Sequence, residues 1–379
     1  MHVGLNLLFL VPGDTGGLEV YARELLLALA AERPDLRLTS FVNREAAAAG
    51  GPWEEQTGVV VVGVNGVSRV ARVRAEQGAL PRLGRRAGID VLHSLASTAP
   101  VLGDFARVVT IHDLHYRILP EAHFGVYGLG MRVLVPLAGR RSDRVIAISE
   151  ATAADIRRYL HVPADRLDVV PSGLGLSPDA ARVPEPEEQL REKLALGRRP
   201  VALSVSAKRP HKNLMRLLEA LAAIPPARRP ILVVPGYPTP YERELRARAA
   251  GLGVLEDLRM LDWVSDAELE GLYALSAVFV FPSLAEGFGL PVLEAMARGV
   301  PVVCSNTSSL PEIAGDAALQ FDPLDVSTIA AAMERVLGDG ELAGRLRAAG
   351  PPQAAQFSWA RAARETAASY ERALTGRRG

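Results

Sequence analysis

The chain has 379 residues with 43 basic and 43 acidic side chains, so its formal net charge at pH 7 is zero. This length is enough for two α/β domains, and a neutral chain lacks the positive excess on which general nucleic-acid binding depends. Its single cysteine, Cys304, excludes an internal disulfide and a clustered-cysteine metal site, and it favours a reducing compartment.

Apolar runs alternate with amphipathic segments through the first half of the chain. Residues 3–10 form a short apolar run without a basic segment before it, which we interpret as a buried strand and not as a secretory leader. A glycine-rich loop at 13–17 follows, and residues 18–29 have helical spacing. Further strands are predicted at 36–42, 59–64, 91–93, 108–112, 145–148 and 169–170.

A segment rich in proline and glycine at 171–186 predicts a crossing between two domains. The alternation then restarts, with strands predicted at 201–205, 231–234, 258–261, 278–281, 302–303 and 318–321. Helices are predicted at 214–222, 241–250, 266–275, 291–298, 328–337, 343–348 and 357–374. The pattern indicates an α/β protein with two open parallel sheets, which bind ligands beyond the carboxyl ends of their strands.

The segment after the predicted strand 278–281 has the clearest functional pattern. From residue 282 to 294 it reads Pro-Ser-Leu-Ala-Glu-Gly-Phe-Gly-Leu-Pro-Val-Leu-Glu. Glu286 lies on a glycine-rich loop, where backbone N–H groups can approach a ligand, and Glu294 is predicted in the first turn of a helix, whose start favours an anion. Glu294 suits a ribose diol and Glu286 suits sugar hydroxyls. Taken singly, Glu294 is more simply explained as a charge that complements the start of a helix, and Glu286 as a solvated loop residue.

This block resembles the E-x7-E element of the retaining glycosyltransferases of family 4, which have the GT-B fold, and residues 305–318 are similar to the stretch that follows it there. The version found here is most similar to the mannosyltransferase-like branch of bacterial polysaccharide and lipid-glycan pathways. The resemblance covers nearly the whole chain. It implies a Rossmann-like acceptor domain at 1–175, a Rossmann-like nucleotide-sugar donor domain at 176–356 facing it across a cleft, and a C-terminal helix at 357–379 that crosses back to the N-terminal domain.

The resemblance also assigns donor-binding residues. Lys212 corresponds to a lysine that neutralises the donor diphosphate. Many members have an arginine five positions earlier, where this chain has Ala207. Either Lys208 or Arg209 replaces that arginine, or one cation together with backbone dipoles is enough to bind the diphosphate. Val264 belongs to the segment that would hold the base through backbone groups. The predicted donor site consists of Gly16, Gly17, Arg209, Lys212, Val264, Glu286, Gly287, Phe288, Gly289, Leu290 and Glu294.

His112 ends a predicted strand and corresponds to the family's histidine near the transferred sugar, although a lone histidine there is more often structural. The predicted catalytic residues are His112, Lys212 and Glu286. The predicted acceptor-binding residues are Asp14 and Ser149, and Ser149 is equally well explained as a helix cap. The implied reaction retains the anomeric configuration, and the leaving phosphate itself takes the acceptor's proton. Since no Asp-x-Asp motif occurs, we expect no metal and no cofactor.

The first hypothesis for the function is therefore a hexosyltransferase that takes mannose from GDP-mannose. A GT-B phosphorylase or sugar-nucleotide epimerase is the nearer alternative, and a non-catalytic nucleotide-sugar-binding protein is an alternative of another class. A dinucleotide-dependent oxidoreductase is disfavoured, because residues 13–17 lack G-x-G-x-x-G and no acidic residue ends the second predicted strand. The expected partners are a nucleotide-sugar donor and a glycan, lipid-linked or small-molecule acceptor, with no nucleic acid.

No run of 18 uncharged apolar residues predicts a membrane span, and we expect a cytoplasmic protein. The arginines between 69 and 86 and the apolar stretch 124–136 are compatible with contact to the inner face of a membrane. A solvated arginine face and a packed helix explain these features equally well.

Overall fold

The computed structural model describes residues 1–119, 126–175 and 183–378. The chain forms two compact units: unit 1 consists of Met1–Gly175 and Phe357–Gly379, and unit 2 consists of Leu176–Gln356. The predicted crossing segment 171–186 and the apolar stretch 124–136 each lie partly outside the described residues.

Unit 1 contains a parallel sheet with helices along the chain between its strands. Its strands are β1 (His2–Leu7), β2 (Arg37–Val42), β3 (Gly58–Val61), β4 (Val91–Ser94), β5 (Ala106–Ile111), β6 (Arg144–Ala147) and β7 (Leu167–Val169). Its first helices are α1 (Gly17–Glu32), α2 (Arg44–Ala49), α3 (Pro52–Gln56), α4 (Arg69–Ala87), α5 (His115–Ile118), α6 (Val126–Arg141) and α7 (Glu150–Asp155). The seven strands are ordered β3-β2-β1-β4-β5-β6-β7.

Unit 2 repeats this architecture with six strands. They are β8 (Val201–Leu203), β9 (Ile231–Val234), β10 (Leu258–Met260), β11 (Val278–Phe281), β12 (Val302–Ser305) and β13 (Ala318–Phe321). Its helices are α8 (Glu187–Lys193), α9 (Leu214–Ala223), α10 (Glu242–Gly251), α11 (Asp266–Leu275), α12 (Leu290–Ala297), α13 (Leu310–Ala314), α14 (Val326–Gly338) and α15 (Gly340–Ala354). The order is β10-β9-β8-β11-β12-β13.

Both sheets have one point at which the strand order reverses. It lies between β1 and β4 in unit 1 and between β8 and β11 in unit 2. All six residues of β1 and all four of β11 are buried, as expected for parallel strands covered on both faces. A crevice opens at such a switch point beyond the carboxyl ends of the strands, so the loops that follow these four strands are where a ligand site is expected.

The last helix, α16 (Trp359–Arg378), belongs to unit 1 and packs on α1 and β5. Ala363, Ala367 and Tyr370 are fully buried along its inner face. Trp359 Nε1 donates to Leu174 O at 2.8 Å and fixes the beginning of the helix. No described helix has the length and apolar character that crossing a membrane requires.

Several predicted boundaries differ from the structure for local reasons. The first strand was predicted to reach residue 10 but ends at Leu7, because Leu8 N donates to Asn6 Oδ1 (3.2 Å) and Leu10 N donates back to Leu7 O (3.0 Å). The helix predicted from 343 begins at Gly340, where Asp339 Oδ1 accepts from Leu342 N at 3.0 Å. Helix α4 was not predicted.

Candidate active site

Two loops of unit 2 leave the sheet side by side at its switch point. Leu284 N, in the loop after β11, donates to His211 O, in the loop after β8, at 2.8 Å. The buried Asn213 side chain donates from Nδ2 to Pro282 O at 3.0 Å and to Pro323 O at 2.8 Å. The loop after β8 is thereby fixed on the loop after β11, and residues far apart in the sequence become neighbours.

Lys212 and Glu286 form an ion pair where these loops meet. The Lys212 ammonium donates to Glu286 Oε1 at 2.6 Å, and the two side chains are only 16% and 11% exposed. The Ser283 hydroxyl donates to the same carboxylate oxygen. The ammonium also lies 5.3 Å from the centroid of the Phe281 ring, within range of a cation–π contact. An ammonium has three N–H donors, so one bond to Glu286 leaves two for an anion.

The glycine-rich loop that carries Glu286 is held from outside by a pair of serines. Ser308 Oγ donates to Glu286 O at 2.7 Å, and Ser309 Oγ donates to Phe288 O at 2.6 Å. Gly289 has φ 119° at the N-cap of α12, in the region where glycine is favoured, and a Cβ added there would lie 2.8 Å from Leu310. These contacts place Gly287 and Leu290 around the helix start.

The prediction that Glu294 lies in the first turn of α12 is wrong. The helix begins at Leu290, so Glu294 is its fifth residue, and no acidic residue lies in the first turn. The side chain is buried instead, 7% exposed, and its Oε2 accepts from the Tyr273 hydroxyl at 3.0 Å. Glu294 is thus held by a hydrogen bond from the neighbouring helix α11.

The two residues proposed to replace the arginine absent at Ala207 differ in their surroundings. Lys208 is fully buried, and its ammonium donates to Gly236 O at 2.5 Å and to Leu261 O. Burial lowers the pKa of this ammonium, against the raising effects of Glu242 and Asp262. Lys208 therefore ties three loops of unit 2 together, whereas the Arg209 side chain is exposed.

Val264 lines a cavity of about 340 Å³ in unit 2 together with Asp262 and Trp263. The segment is anchored by a bond from Gly236 N to Asp262 O at 3.2 Å. Trp263 is 71% exposed, so an aromatic face is available beside the backbone that was predicted to hold the base.

In unit 1, His112 follows β5 at the carboxyl edge of the sheet. Its Nε2 lies 2.7 Å from Leu95 O, and because a carbonyl only accepts, we assign the proton to Nε2 and the lone pair to Nδ1. Burial lowers the pKa of His112, against the raising effects of the Leu95 bond and of Asp113. The Tyr21 ring meets the imidazole edge-on at a centroid distance of 4.6 Å. His112 is accordingly a neutral hydrogen-bond acceptor at pH 7.

The loop after β1 supplies exposed backbone N–H groups. Gly16, with φ 59°, is the N-cap of α1, and no side chain caps this helix start. Asp14 and Gly17 are exposed, and Gly13 N donates to Glu19 Oε2 at 2.9 Å. The first turn of a sixteen-residue helix is therefore presented at the switch point of unit 1.

Ser149 has the environment of a helix cap. It is 1% exposed, and its Oγ accepts from Thr152 N at 3.0 Å at the start of α7. These contacts favour the cap interpretation over acceptor binding.

Sequence reasoning missed one buried acid in unit 1. Glu76 lies among the arginines of α4 but is only 7% exposed. Thr98 Oγ1 donates to its Oε2 at 2.8 Å, and the adjacent Gln77 Nε2 donates to Ala99 O at 3.0 Å. Glu76 and Gln77 thus hold the segment after β4 that includes Leu95, the partner of His112. Among the described residues, no three or more His, Cys, Asp or Glu side chains are grouped so as to hold a metal ion.

Similar proteins are known for most of the chain. Residues 186–352 match the family described as Glycosyl transferases group 1, and residues 15–177 match Glycosyltransferase Family 4. The chain is 35% identical over 268 residues to O-antigen chain mannosyltransferase B of Escherichia coli. The aligned region covers 70% of each of the two chains. The chain is 33% identical over 296 residues to serotype-specific mannosyltransferase WbdA of Escherichia coli, covering 74% of this chain and 36% of that protein. The structure of sucrose-phosphate synthase from Thermosynechococcus elongatus matches with a TM-score of 0.77 and 21% identity, covering 98% of each chain.

Proposed function

Because this chain belongs to the glycosyltransferases of family 4 and has their GT-B fold, we propose that it transfers a mannosyl group from GDP-mannose to a glycan acceptor, with retention and without a metal ion. The family, the fold and the glycosyltransferase activity predicted from the E-x7-E block are confirmed by the family matches and the named relatives. The donor, the stereochemistry and the metal independence are the proposal.

The observation that carries the proposal is the Lys212–Glu286 pair at the switch point of unit 2. A nucleotide-sugar needs stabilisation of the negative charge that develops on its leaving diphosphate. The Lys212 ammonium and the start of α12 supply fixed positive potential of this kind, and preorganised electrostatics is commonly the largest contribution to catalysis. Glu286 serves as acceptor for sugar hydroxyls, and Glu294 accepts the ribose hydroxyls.

His112 takes the role that the family resemblance assigns to it. Its Nδ1 lone pair accepts a hydrogen bond from a hydroxyl of the transferred sugar, and the Leu95 bond keeps the tautomer that makes this acceptor available. No side chain serves as nucleophile in this mechanism. The leaving phosphate oxygen takes the proton of the acceptor hydroxyl as the new glycosidic bond forms on the same face of the sugar.

The mannosyl donor and glycan acceptor are proposed from the relatives. Both Escherichia coli relatives are named as mannosyltransferases, and the first acts on the O-antigen chain according to its name. The chain spans about a third of WbdA, so the proposal is restricted to a single transfer reaction.

The proposal is tested by a thermal-shift screen of the whole chain against GDP, UDP, dTDP and ADP and their sugar conjugates, with and without EDTA. A ligand at a hundredfold excess over its Kd stabilises the folded state by about 2.7 kcal/mol. We expect a shift with GDP and GDP-mannose that EDTA does not change and that Lys212→Ala strongly reduces. A shift that requires a divalent cation would overturn metal independence, and no shift with any nucleotide would overturn the donor site.

A further inference from the structure

Glu294 is backed by a buried tyrosine on the neighbouring helix. Tyr273 of α11 is 0% exposed, and its hydroxyl donates to Glu294 Oε2 at 3.0 Å. Burial, followed by the negative charge of Glu294, raises the pKa of Tyr273 well above its usual value, so the phenol stays protonated and remains a donor. One oxygen of the Glu294 carboxylate is thus tied to a rigid side chain.

The tyrosine is itself held in place by an ion pair between the two helices. Arg298, at the end of α12, donates from Nε to Glu270 Oε2 at 2.7 Å and from Nη2 to Glu270 Oε1, and these side chains are 6% and 11% exposed. Its guanidinium carbon lies 4.8 Å from the centroid of the Tyr273 ring, and its Nη1 donates to Glu294 O at 2.9 Å. Arg298 therefore fixes both the ring and the backbone of the glutamate.

A second aromatic ring, from the sheet, contacts Tyr273. The Phe279 ring of β11 lies 5.9 Å from the Tyr273 ring between centroids, at an interplanar angle of 34°. The contacts with Arg298 and Phe279 together restrict the Tyr273 ring, and therefore the position of its hydroxyl.

We propose that Tyr273 is a positioning residue that sets the plane of the Glu294 carboxylate for the ribose diol of the donor, and that the Arg298–Glu270 pair holds Tyr273 for this purpose. The inference rests on the proposed function, in which Glu294 accepts the ribose hydroxyls. Two hydroxyls on adjacent carbons are bound together only if both lone-pair directions of the carboxylate are correctly oriented. A glutamate that rotates about its last torsion angle pays conformational entropy for each diol that it binds.

The orientation of the Glu294 carboxylate can be tested by comparing how tightly the protein binds a ribonucleotide and the matching 2′-deoxynucleotide. We call the ratio of these two affinities the ribose preference. A 2′-deoxynucleotide lacks one hydroxyl of the diol and leaves the base and diphosphate unchanged. Hydrogen bonds to charged groups contribute enough that the wild-type chain is expected to bind GDP about tenfold to a hundredfold more tightly than 2′-deoxy-GDP. A merely structural tyrosine would weaken both nucleotides equally and leave the ratio of their Kd values unchanged.

The experiment is calorimetric titration of the full chain with GDP, 2′-deoxy-GDP, UDP and 2′-deoxy-UDP. In Tyr273→Phe, which removes only the hydroxyl, we expect the ratio of deoxy to ribo Kd values to fall by about threefold to tenfold. Tyr370→Phe is the matched control, because it removes an equally buried tyrosine hydroxyl, bonded to His93 at 2.8 Å, in unit 1. This control is expected to keep the wild-type ratio.

Two further variants separate the possible failures. Arg298→Lys gives up the forked contact with Glu270 and is expected to lower the ratio in the same direction, which keeps the test valid if Tyr273→Phe does not fold. Glu294→Gln reports on the ribose site itself. A ratio that Glu294→Gln abolishes but that Tyr273→Phe and Arg298→Lys leave unchanged would overturn this inference and leave the proposed function standing. A wild-type chain that binds none of the four nucleotides would overturn both, and one that binds them without ribose preference would overturn the ribose role of Glu294 and, with it, this inference.

Discussion

The buried Glu76 makes the stability of unit 1 depend on pH. Burial raises the pKa of this carboxyl from an ordinary 4.5 to about 7, against the lowering effects of hydrogen bonds from Thr98 and Asn6 and of the Arg72 charge. A raised carboxyl pKa means that the folded state favours the protonated form. The stabilisation is therefore complete below pH 4.5 and is lost as the pH rises through about 7. The difference corresponds to about 3 kcal/mol in the free energy of unfolding.

The perturbation that tests this is Glu76→Gln, which approximates the protonated acid in shape and cannot ionise. Urea unfolding at pH 5, 6, 7 and 8 gives the free energy of unfolding of both proteins, with tryptophan fluorescence as the probe. Two of the three tryptophans, Trp359 and the fully buried Trp53, lie in unit 1, whereas Trp263 in unit 2 is already 71% exposed, so the change in emission on unfolding comes mainly from unit 1. We expect the variant to gain about 2 to 3 kcal/mol relative to the wild type between pH 5 and 8.

The comparison must be made between the two proteins at each pH, because His93 acts in the opposite direction. Burial, and then the nearby His112, lower the pKa of His93 to about 3. A histidine with a lowered pKa stabilises the fold above about pH 6.5 and loses this contribution as the pH falls. His93 is present in both proteins and cancels in their difference. A difference between wild type and variant that stays constant from pH 5 to 8 would refute the assignment of a raised pKa to Glu76.

Three further predictions concern the two switch points. Lys212→Met should raise the Kd of a nucleoside diphosphate about tenfold to a hundredfold without changing the Kd of the nucleoside, as measured by calorimetry. An equal loss of affinity for both ligands would show that Lys212 does not contact the phosphates. His112→Asn should lower kcat about tenfold without changing the Kd of GDP, which lacks the transferred sugar, and the nitrogen NMR spectrum of the wild type should show His112 as the neutral Nε2–H tautomer from pH 7 to 8. Asn213→Gly removes the bonds to Pro282 and Pro323 but tolerates the φ of 58°. This variant should lower the free energy of unfolding of unit 2 by about 2 kcal/mol in urea, and Asn213→Ala should lower it by about 1 kcal/mol more. Equal free energies for the two variants would mean that the left-handed backbone at residue 213 does not matter for stability.

The strand pattern was predictable from the sequence because parallel strands covered on both faces must be apolar throughout. The runs at 231–234 and 278–281 coincide with strands whose four residues are all buried, whereas the run at 318–321 coincides with the edge strand β13, which is only partly buried. Helix α4 was not predictable in the same way, since its few buried positions are Glu76, Leu80 and Gly84, and its arginines obscure any apolar periodicity.

The position of Glu294 shows which part of the local structure the E-x7-E spacing predicts and which part it leaves open. The spacing correctly brings Glu294 into the helix after the glycine-rich loop. Where that helix begins depends on the backbone of Gly289, whose positive φ makes it the N-cap, and this places Glu294 one turn inside. Its partner Tyr273 belongs to another helix, so no motif within the loop could have indicated it.

Lys208 and Lys212 illustrate how differently one side-chain chemistry can be used within four residues. Both follow β8, and the sequence offers both as cations for a diphosphate. The 3₁₀ turn Pro210–Lys212 begins two residues after Lys208 and ends at Lys212, so the two side chains leave the backbone in different local environments. Lys208 is thereby directed to the carbonyls of Gly236 and Leu261, where a buried charge is tolerable only with several hydrogen bonds, and Lys212 is directed to the Glu286 carboxylate. The first lysine stabilises the loops on which the second depends, so substitutions at both positions should reduce donor binding, but only the loss at Lys212 should depend on the number of phosphates.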